Sequence, residues 1–214
     1  MTEPQAFLAT PTSGTGRGVL VLHAWWGLND TIKSYCTRLA DAGFVAFAPD
    51  LYHGKIANTI PDAKALASAL GANHAQAGAE IAEAVTFLND RPGVGEGLAV
   101  LGFSLGAAYA LDLAAADPDH IRSVVLSYGI GEADHSKSRA AYLGHWAEKD
   151  EFEPREGVDE LEDLLKKAGR PVTFHHYSGV GHWFAEPDRT DAYNKPAADL
   201  AWERTLAFLK TQAA

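Results

Sequence analysis

The chain of 214 residues carries a single cysteine, Cys36, so no disulfide can form within one copy. Cys36 falls early in a predicted helix, where a buried structural thiol is the expectation. No apolar run approaches the ~18 residues of a membrane-spanning helix. Met1-Thr2-Glu3-Pro4 lacks a basic stretch leading into an apolar one, so no secretory leader is expected and the protein is expected in the cytoplasm. Positive charge is scarce: 18 Lys and Arg stand against 28 Asp and Glu, a formal net charge of −10. That balance argues against a nucleic-acid partner, which needs concentrated cations. No internal repeat is visible, and the one biased stretch, Thr10 to Gly16, reads as a turn between two strands.

Core-forming residues, by contrast, are plentiful. Apolar residues make up 47% of the chain, with five Trp, nine Phe and seven Tyr. Such a composition excludes disorder and suits one domain spanning residues 1–214. Continuous apolar runs at Gly18–His23, Phe44–Ala48, Gly97–Gly102, Ile121–Tyr128, Ala140–Ala147 and Val172–Tyr177 read as strands buried on both faces. Between them, Thr31–Ala42, Gln76–Asn89, Leu105–Ala116, a segment around Val158–Leu165 and Asp191–Leu209 read as helices. Residues 51–75 read as irregular, with a short Ala/Leu-rich segment after Pro61 as a small helix. The alternation predicts an α/β fold, a mostly parallel central sheet with helices on both faces. Sites in such sheets lie at the carboxyl ends of the strands.

There the strongest signal is Gly102-Phe103-Ser104-Leu105-Gly106, a G-x-S-x-G pattern between a strand and a helix. A sharp turn there lifts a serine out of the sheet, and only small residues fit at its flanks. Leu105, at the start of the helix, can direct its backbone N–H at a developing oxyanion. A serine hydroxyl is a weak nucleophile without a base. His182 is the best-placed candidate, in a Ser178–His182 loop after a strand near the chain end. His175 and His176 lie within the preceding strand and are poor candidates. The orienting acid belongs between Ser104 and His182, after a strand. Asp150 fits, Glu148 is its nearest competitor, and Asp134 is a further alternative. The second oxyanion donor is expected from His23-Ala24-Trp25-Trp26-Gly27, with the Trp25 N–H as the choice. Trp25 and Trp26 also suit an apolar pocket wall, and His23 is a pocket residue or a structural hydrogen-bonder. No His-Glu-x-x-His, paired cysteines or Gly-x-Gly-x-x-Gly opening a helix is present, so neither a metal nor an organic cofactor is expected.

With these residues placed, the chain resembles the dienelactone hydrolase family of α/β-hydrolases over nearly its whole length. The likeness runs through Val21–Asn29, Ala48-Pro49-Asp50-Leu51-Tyr52, Gly102–Gly106, Glu148-Lys149-Asp150, Gly181-His182-Trp183-Phe184 and Ala201–Leu206. It implies Ser104 as nucleophile, Asp150 as acid, His182 as base, and oxyanion donors at Trp25 and Leu105. Trp26, His23, Trp183 and Glu186 complete the expected substrate pocket. The chain also departs from the family's pattern. Ser104 stands where dienelactone-opening members usually carry cysteine, Ala24 where they carry a glutamate, and Glu186 where an arginine holds the substrate carboxylate. A glutamate in that pocket would repel an anionic lactone. The resemblance therefore implies a serine hydrolase that cleaves small neutral carboxylic esters or lactones through an acyl-enzyme; the sequence leaves monomer or homodimer open, with an edge strand or the last helix as the surface that could pair two copies. The alternatives are an acyltransferase or peptidase with the same triad, and a non-catalytic small-molecule binder or sensor.

Overall fold

The computed structural model describes residues 6–212. The Met1–Pro4 segment, on which the expectation about a leader rests, lies outside them. Strand β1 (Ala6–Ala9) precedes β2 (Gly16–Leu22), α1 (Asp30–Asp41), β3 (Val45–Pro49), α2 (Ile60–Ala72) and α3 (His74–Asn89). Then come β4 (Val94–Phe103), α4 (Leu105–Ala116), β5 (Ile121–Ser127), β6 (Ala141–Lys149), α5 (Arg155–Lys167), β7 (Val172–Gly181) and α6 (Lys195–Thr211). The seven strands form one sheet in the order β1-β3-β2-β4-β5-β6-β7. All neighbours are parallel except β1, which pairs antiparallel with β3.

The apolar runs become strands because both sheet faces are covered. Successive residues point to opposite faces. Leu20, Leu22, Val100 and Val124 pack with Ile81 and Leu88 of α3, Ala110 and Leu111 of α4, and Leu161 and Leu165 of α5. Val19, Val21, Leu101 and Val125 pack with Ile32, Cys36 and Leu39 of α1 and Leu209 of α6. Cys36 is fully buried there, and burial pushes its thiol up to about 12. Among the described residues, no helix is long and apolar enough to cross a membrane.

The structure differs from the sequence expectation in three places. The stretch read as irregular contains a full 13-residue helix, α2. The Thr59 side chain accepts the Asp62 N–H at its start, and Pro61 sits in its first turn. Its amphipathic stripe is weak because only Ala63 and Leu70 are buried, so periodicity could not reveal its length. Strand β7 continues through Ser178–Gly181, which was expected as a loop. The last helix begins at Lys195, capped by Asn194 and led by Pro196, later than Asp191.

The connection order positions the site. The chain leaves β2 for β3 on one side, then returns to lay β4 on the other side of β2. A crevice opens at the carboxyl ends of strands where the winding reverses. Here Leu22 of β2 pairs with Gly102 of β4.

Candidate active site

Ser104 occupies the turn between β4 and α4 at φ 48°, ψ −114°, a strained conformation for a residue with a side chain. The glycines on either side are a steric requirement. A Cβ on Gly102 would strike the Gly106 carbonyl, and one on Gly106 would strike the Leu22 carbonyl and approach the His23 oxygen at 2.7 Å. The Ser104 N–H donates to the Ser127 carbonyl at 2.9 Å, tying the turn to the end of β5.

Ser104 Oγ lies 2.8 Å from His182 Nε2. His182 Nδ1 lies 2.9 and 2.8 Å from the two carboxylate oxygens of Asp150. With Nδ1 donating to Asp150, Nε2 is left free to accept the serine proton. The His182 and Asp150 side chains are each only 4% exposed. Sheet register brings the pair together: Lys149 pairs with Gly181, so the next residue of each strand is Asp150 and His182. Asp150 Oδ1 also accepts the N–H groups of Phe152 and Glu153, at 2.9 and 3.0 Å. The competing acids are committed elsewhere. Glu148 accepts the Gly179 N–H at 2.7 Å, and Asp134 caps a short 3-10 turn at Ser136. His175 and His176 stay in β7, as their place in the strand implied.

A cavity of about 250 Å³ opens at Ser104 Oγ. Trp25, Phe152 and Trp183 supply aromatic surface, Leu105, Ala108 and Ile130 aliphatic surface, and Glu153 a carboxylate. Phe152 is the hub, with ring centroids 5.6 Å from Trp25, 5.0 Å from Trp183 and 4.9 Å from His182. Leu105 is the first residue of α4, whose opening N–H groups have no intrahelical acceptor. Trp25 lies in a turn closed by the Gly27 N–H on the Ala24 carbonyl at 3.2 Å. Neither the Trp25 nor the Leu105 N–H has a backbone acceptor in the loops and turns of the described residues. Both residues border the serine.

Three residues expected in the pocket lie behind it. His23 is fully buried: its Nδ1 meets the Ala24 carbonyl at 2.8 Å, and its Nε2 accepts the Leu51 N–H at 3.3 Å. Burial lowers its pKa, so it is a neutral brace between the Trp25 turn and the end of β3. Trp26 is buried 5.2 Å behind Trp183, with the Arg189 guanidinium 4.0 Å over its ring. Glu186 is 1% exposed and accepts the Tyr128 hydroxyl at 3.0 Å. Burial, with Asp188 adding repulsion, pushes its carboxyl up to about 8, so it stands uncharged at neutral pH. It therefore presents no repelling charge to a substrate, contrary to expectation. Instead, the Tyr128 ring it holds packs edge-on against His182 at 5.1 Å. Of the four, Trp183 alone faces the cavity.

Sequence reading missed Phe152 and Glu153. The signal was available in Asp150-Glu151-Phe152-Glu153, since a carboxylate ending a strand commonly accepts N–H groups two and three residues on. Burial and the nearby Asp150 push Glu153 up to about 7.

The comparisons agree with this architecture. The profile of the dienelactone hydrolase family matches residues 5–213. "Protein usf" of Aquifex pyrophilus is 37% identical, over 96% of this chain and 92% of its own. A "Putative carboxymethylenebutenolidase" of Aquifex aeolicus is 34% identical, over 97% of this chain and 93% of its own. The crystal structure of a "Putative Dienelactone Hydrolase" from Klebsiella pneumoniae superposes with a TM-score of 0.82 at 26% identity, covering 94% of this chain and 90% of that one. The chain belongs to the dienelactone hydrolase family, and it is a carboxylic ester hydrolase of the α/β-hydrolase fold.

Proposed function

We propose that the protein cleaves small carboxylic esters or lactones by acyl transfer through Ser104, His182 and Asp150. The observation that carries this reading is the unbroken chain from Ser104 Oγ to His182 Nε2 at 2.8 Å and from His182 Nδ1 to Asp150 at 2.8 Å. His182 Nε2 takes the hydroxyl proton as Ser104 Oγ adds to the ester carbonyl carbon. Asp150 holds the Nδ1–H tautomer and stabilises the imidazolium. The N–H groups of Trp25 and Leu105 hold the oxyanion. Collapse breaks the bond to the leaving oxygen, which receives the proton from His182 and departs as an alcohol. His182 then takes a proton from water, the hydroxide oxygen adds to the acyl carbon, and Ser104 leaves carrying the returned proton.

Relatives carry the name carboxymethylenebutenolidase, and that name denotes a lactone bearing a carboxylate. Among the described residues, no Lys or Arg lines this cavity, and Glu153 does. We therefore assign esters and lactones that carry no carboxylate. At about 250 Å³ the cavity admits short acyl groups.

The test is hydrolysis of p-nitrophenyl acetate through octanoate by the wild type and Ser104→Ala. Turnover by the wild type, with a fall of ~10³-fold or more in the variant, is expected. Equal, background-level rates in two folded proteins would overturn the reading in favour of a non-catalytic binder.

A further inference from the structure

Resting on the ester-hydrolase reading, we propose that the cavity at Ser104 is a site for a cationic group. The enzyme then prefers esters whose alcohol or acyl part carries a tertiary or quaternary ammonium, with Glu153 and the rings of Trp25, Phe152 and Trp183 as the recognition surface.

The charge of the cavity is negative. Among the described residues, the only ionisable side chains lining the cavity are Glu153 and His182. His182 is occupied by Ser104 and Asp150, so Glu153 is the one group free to set the sign of the site. The nearest cation in sequence does not neutralise it: Arg155 Nε is paired with Asp159 at 2.7 Å. Glu153 makes no ion pair among the described residues. A half-buried carboxylate without a counter-ion is costly, and a ligand that brings the missing positive charge relieves that cost.

The rings act in the same direction. A cation is attracted to aromatic faces, and desolvated sites built from several rings recognise quaternary ammonium groups. The Phe152 ring packs against both Trp25 and Trp183, at 5.6 and 5.0 Å, in the cavity that Ser104 also lines. The Glu153 N–H is anchored to Asp150 Oδ1 at 3.0 Å, so the carboxylate is carried on the same rigid turn as the catalytic acid.

The surroundings make the preference pH-dependent. Asp150 and Glu148 approach Glu153 from the end of β6, Arg155 from α5, and His176 and His182 from the β7 side. Burial and Asp150 hold the Glu153 proton up to about 7. The carboxylate is therefore uncharged well below that pH and charged above it, and selectivity for cations rises through it. A bound cation draws the transition lower.

The experiment compares acetylcholine with its uncharged isostere, 3,3-dimethylbutyl acetate, by acid release at pH 6 and 8.5. Wild type and Glu153→Gln are measured, and kcat/KM is read as a ratio within each protein. The ratio cancels any effect of pH common to both substrates and any general loss of activity. A wild-type ratio of ~10 in favour of the cation at pH 8.5 is expected. It should shrink several-fold at pH 6, and several-fold in Glu153→Gln at pH 8.5, with the remainder supplied by the rings and no longer dependent on pH. A wild-type ratio of one or less, or one that Glu153→Gln leaves unchanged, overturns the proposal. Tetramethylammonium titrated against tryptophan fluorescence reads the same site without turnover. Saturable quenching in the wild type that Glu153→Gln weakens supports the cation site even if no ester is cleaved. Ester cleavage without quenching or selectivity refutes the cation site and leaves the hydrolase reading standing.

Discussion

Asp150 is held by three donors, the His182 ring and the N–H groups of Phe152 and Glu153. Asp150→Asn keeps an oxygen for the two backbone donors but no longer stabilises an imidazolium or enforces the Nδ1–H tautomer. A fall of ~10³–10⁴-fold in kcat on p-nitrophenyl acetate, with little change in melting temperature, is expected. Ser104, Asp150 and His182 were legible as residues because each follows an apolar strand and two of them sit in short local patterns. Glu186 was legible as a departure from the family pattern, but its position was not. Its partner Tyr128 is 58 residues away, and only the packed loops reveal that the two side chains meet in the interior. Glu153 failed for a related reason: the turn at Asp150 is readable in Asp150-Glu151-Phe152-Glu153, but which of its side chains faces the serine is set by packing across the site.

Elements, rather than single residues, bring the site to its geometry. Strand ends supply Ser104, Asp150 and His182, and the register of β6 on β7 sets two of them side by side. Backbone strain concentrates at the same ends: Ser104, Tyr128 and Trp183 all have positive φ. The start of α1 is tied into this region. Asn29 Oδ1 accepts the Ile32 N–H at 3.1 Å, and its Nδ2 donates to Asp188 at 3.0 Å, linking the helix to the segment after His182. Asn29→Ala removes both bonds and is expected to destabilise the fold by ~1–2 kcal/mol, read from denaturant unfolding. The cap itself was legible as Asn29 or Asp30. Its second bond was not, because Asp188 lies 159 residues on. Helix α2 was only half legible, since an Ala-rich edge helix buries too little to show a stripe.

At the scale of the whole molecule, buried titratable groups shape stability across pH. An unfolded glutamate releases its proton near 4.5, whereas Glu186 holds its own up to about 8. Between those values the folded state binds more protons, so this contribution to stability falls as pH rises from about 4.5 through about 8. His145, fully buried between Tyr177 and Thr205 and lowered to about 3, acts in the opposite sense. It costs stability as pH falls below about 6.5, where the unfolded imidazole protonates. Glu186→Gln keeps an acceptor for Tyr128 and removes only the acid's titration. Relative to wild type, the variant should gain ~2–4 kcal/mol between pH 5 and pH 8.5, since one proton held only by the folded state is worth about 1.4 kcal/mol for every pH step of one. Urea unfolding of both proteins at the two pH values measures that difference; an unchanged gap would show that Glu186 is already ionised in the fold.

By itself the sequence determined the α/β alternation, the elbow around Ser104 and the order Ser, Asp, His, because these depend on local patterns: apolar runs long enough to be buried, and glycines where no side chain fits. Tertiary structure decided which side chains share the cavity. Reversal of winding between β2 and β4, and the pairing of Lys149 with Gly181, depend on contacts across the sheet. Those contacts turned His23, Trp26 and Glu186 into buried supports and left Trp25, Phe152, Glu153 and Trp183 facing the serine. The physical reason is that a side chain's charge and its role follow from what surrounds it, and residues distant in sequence supply those surroundings.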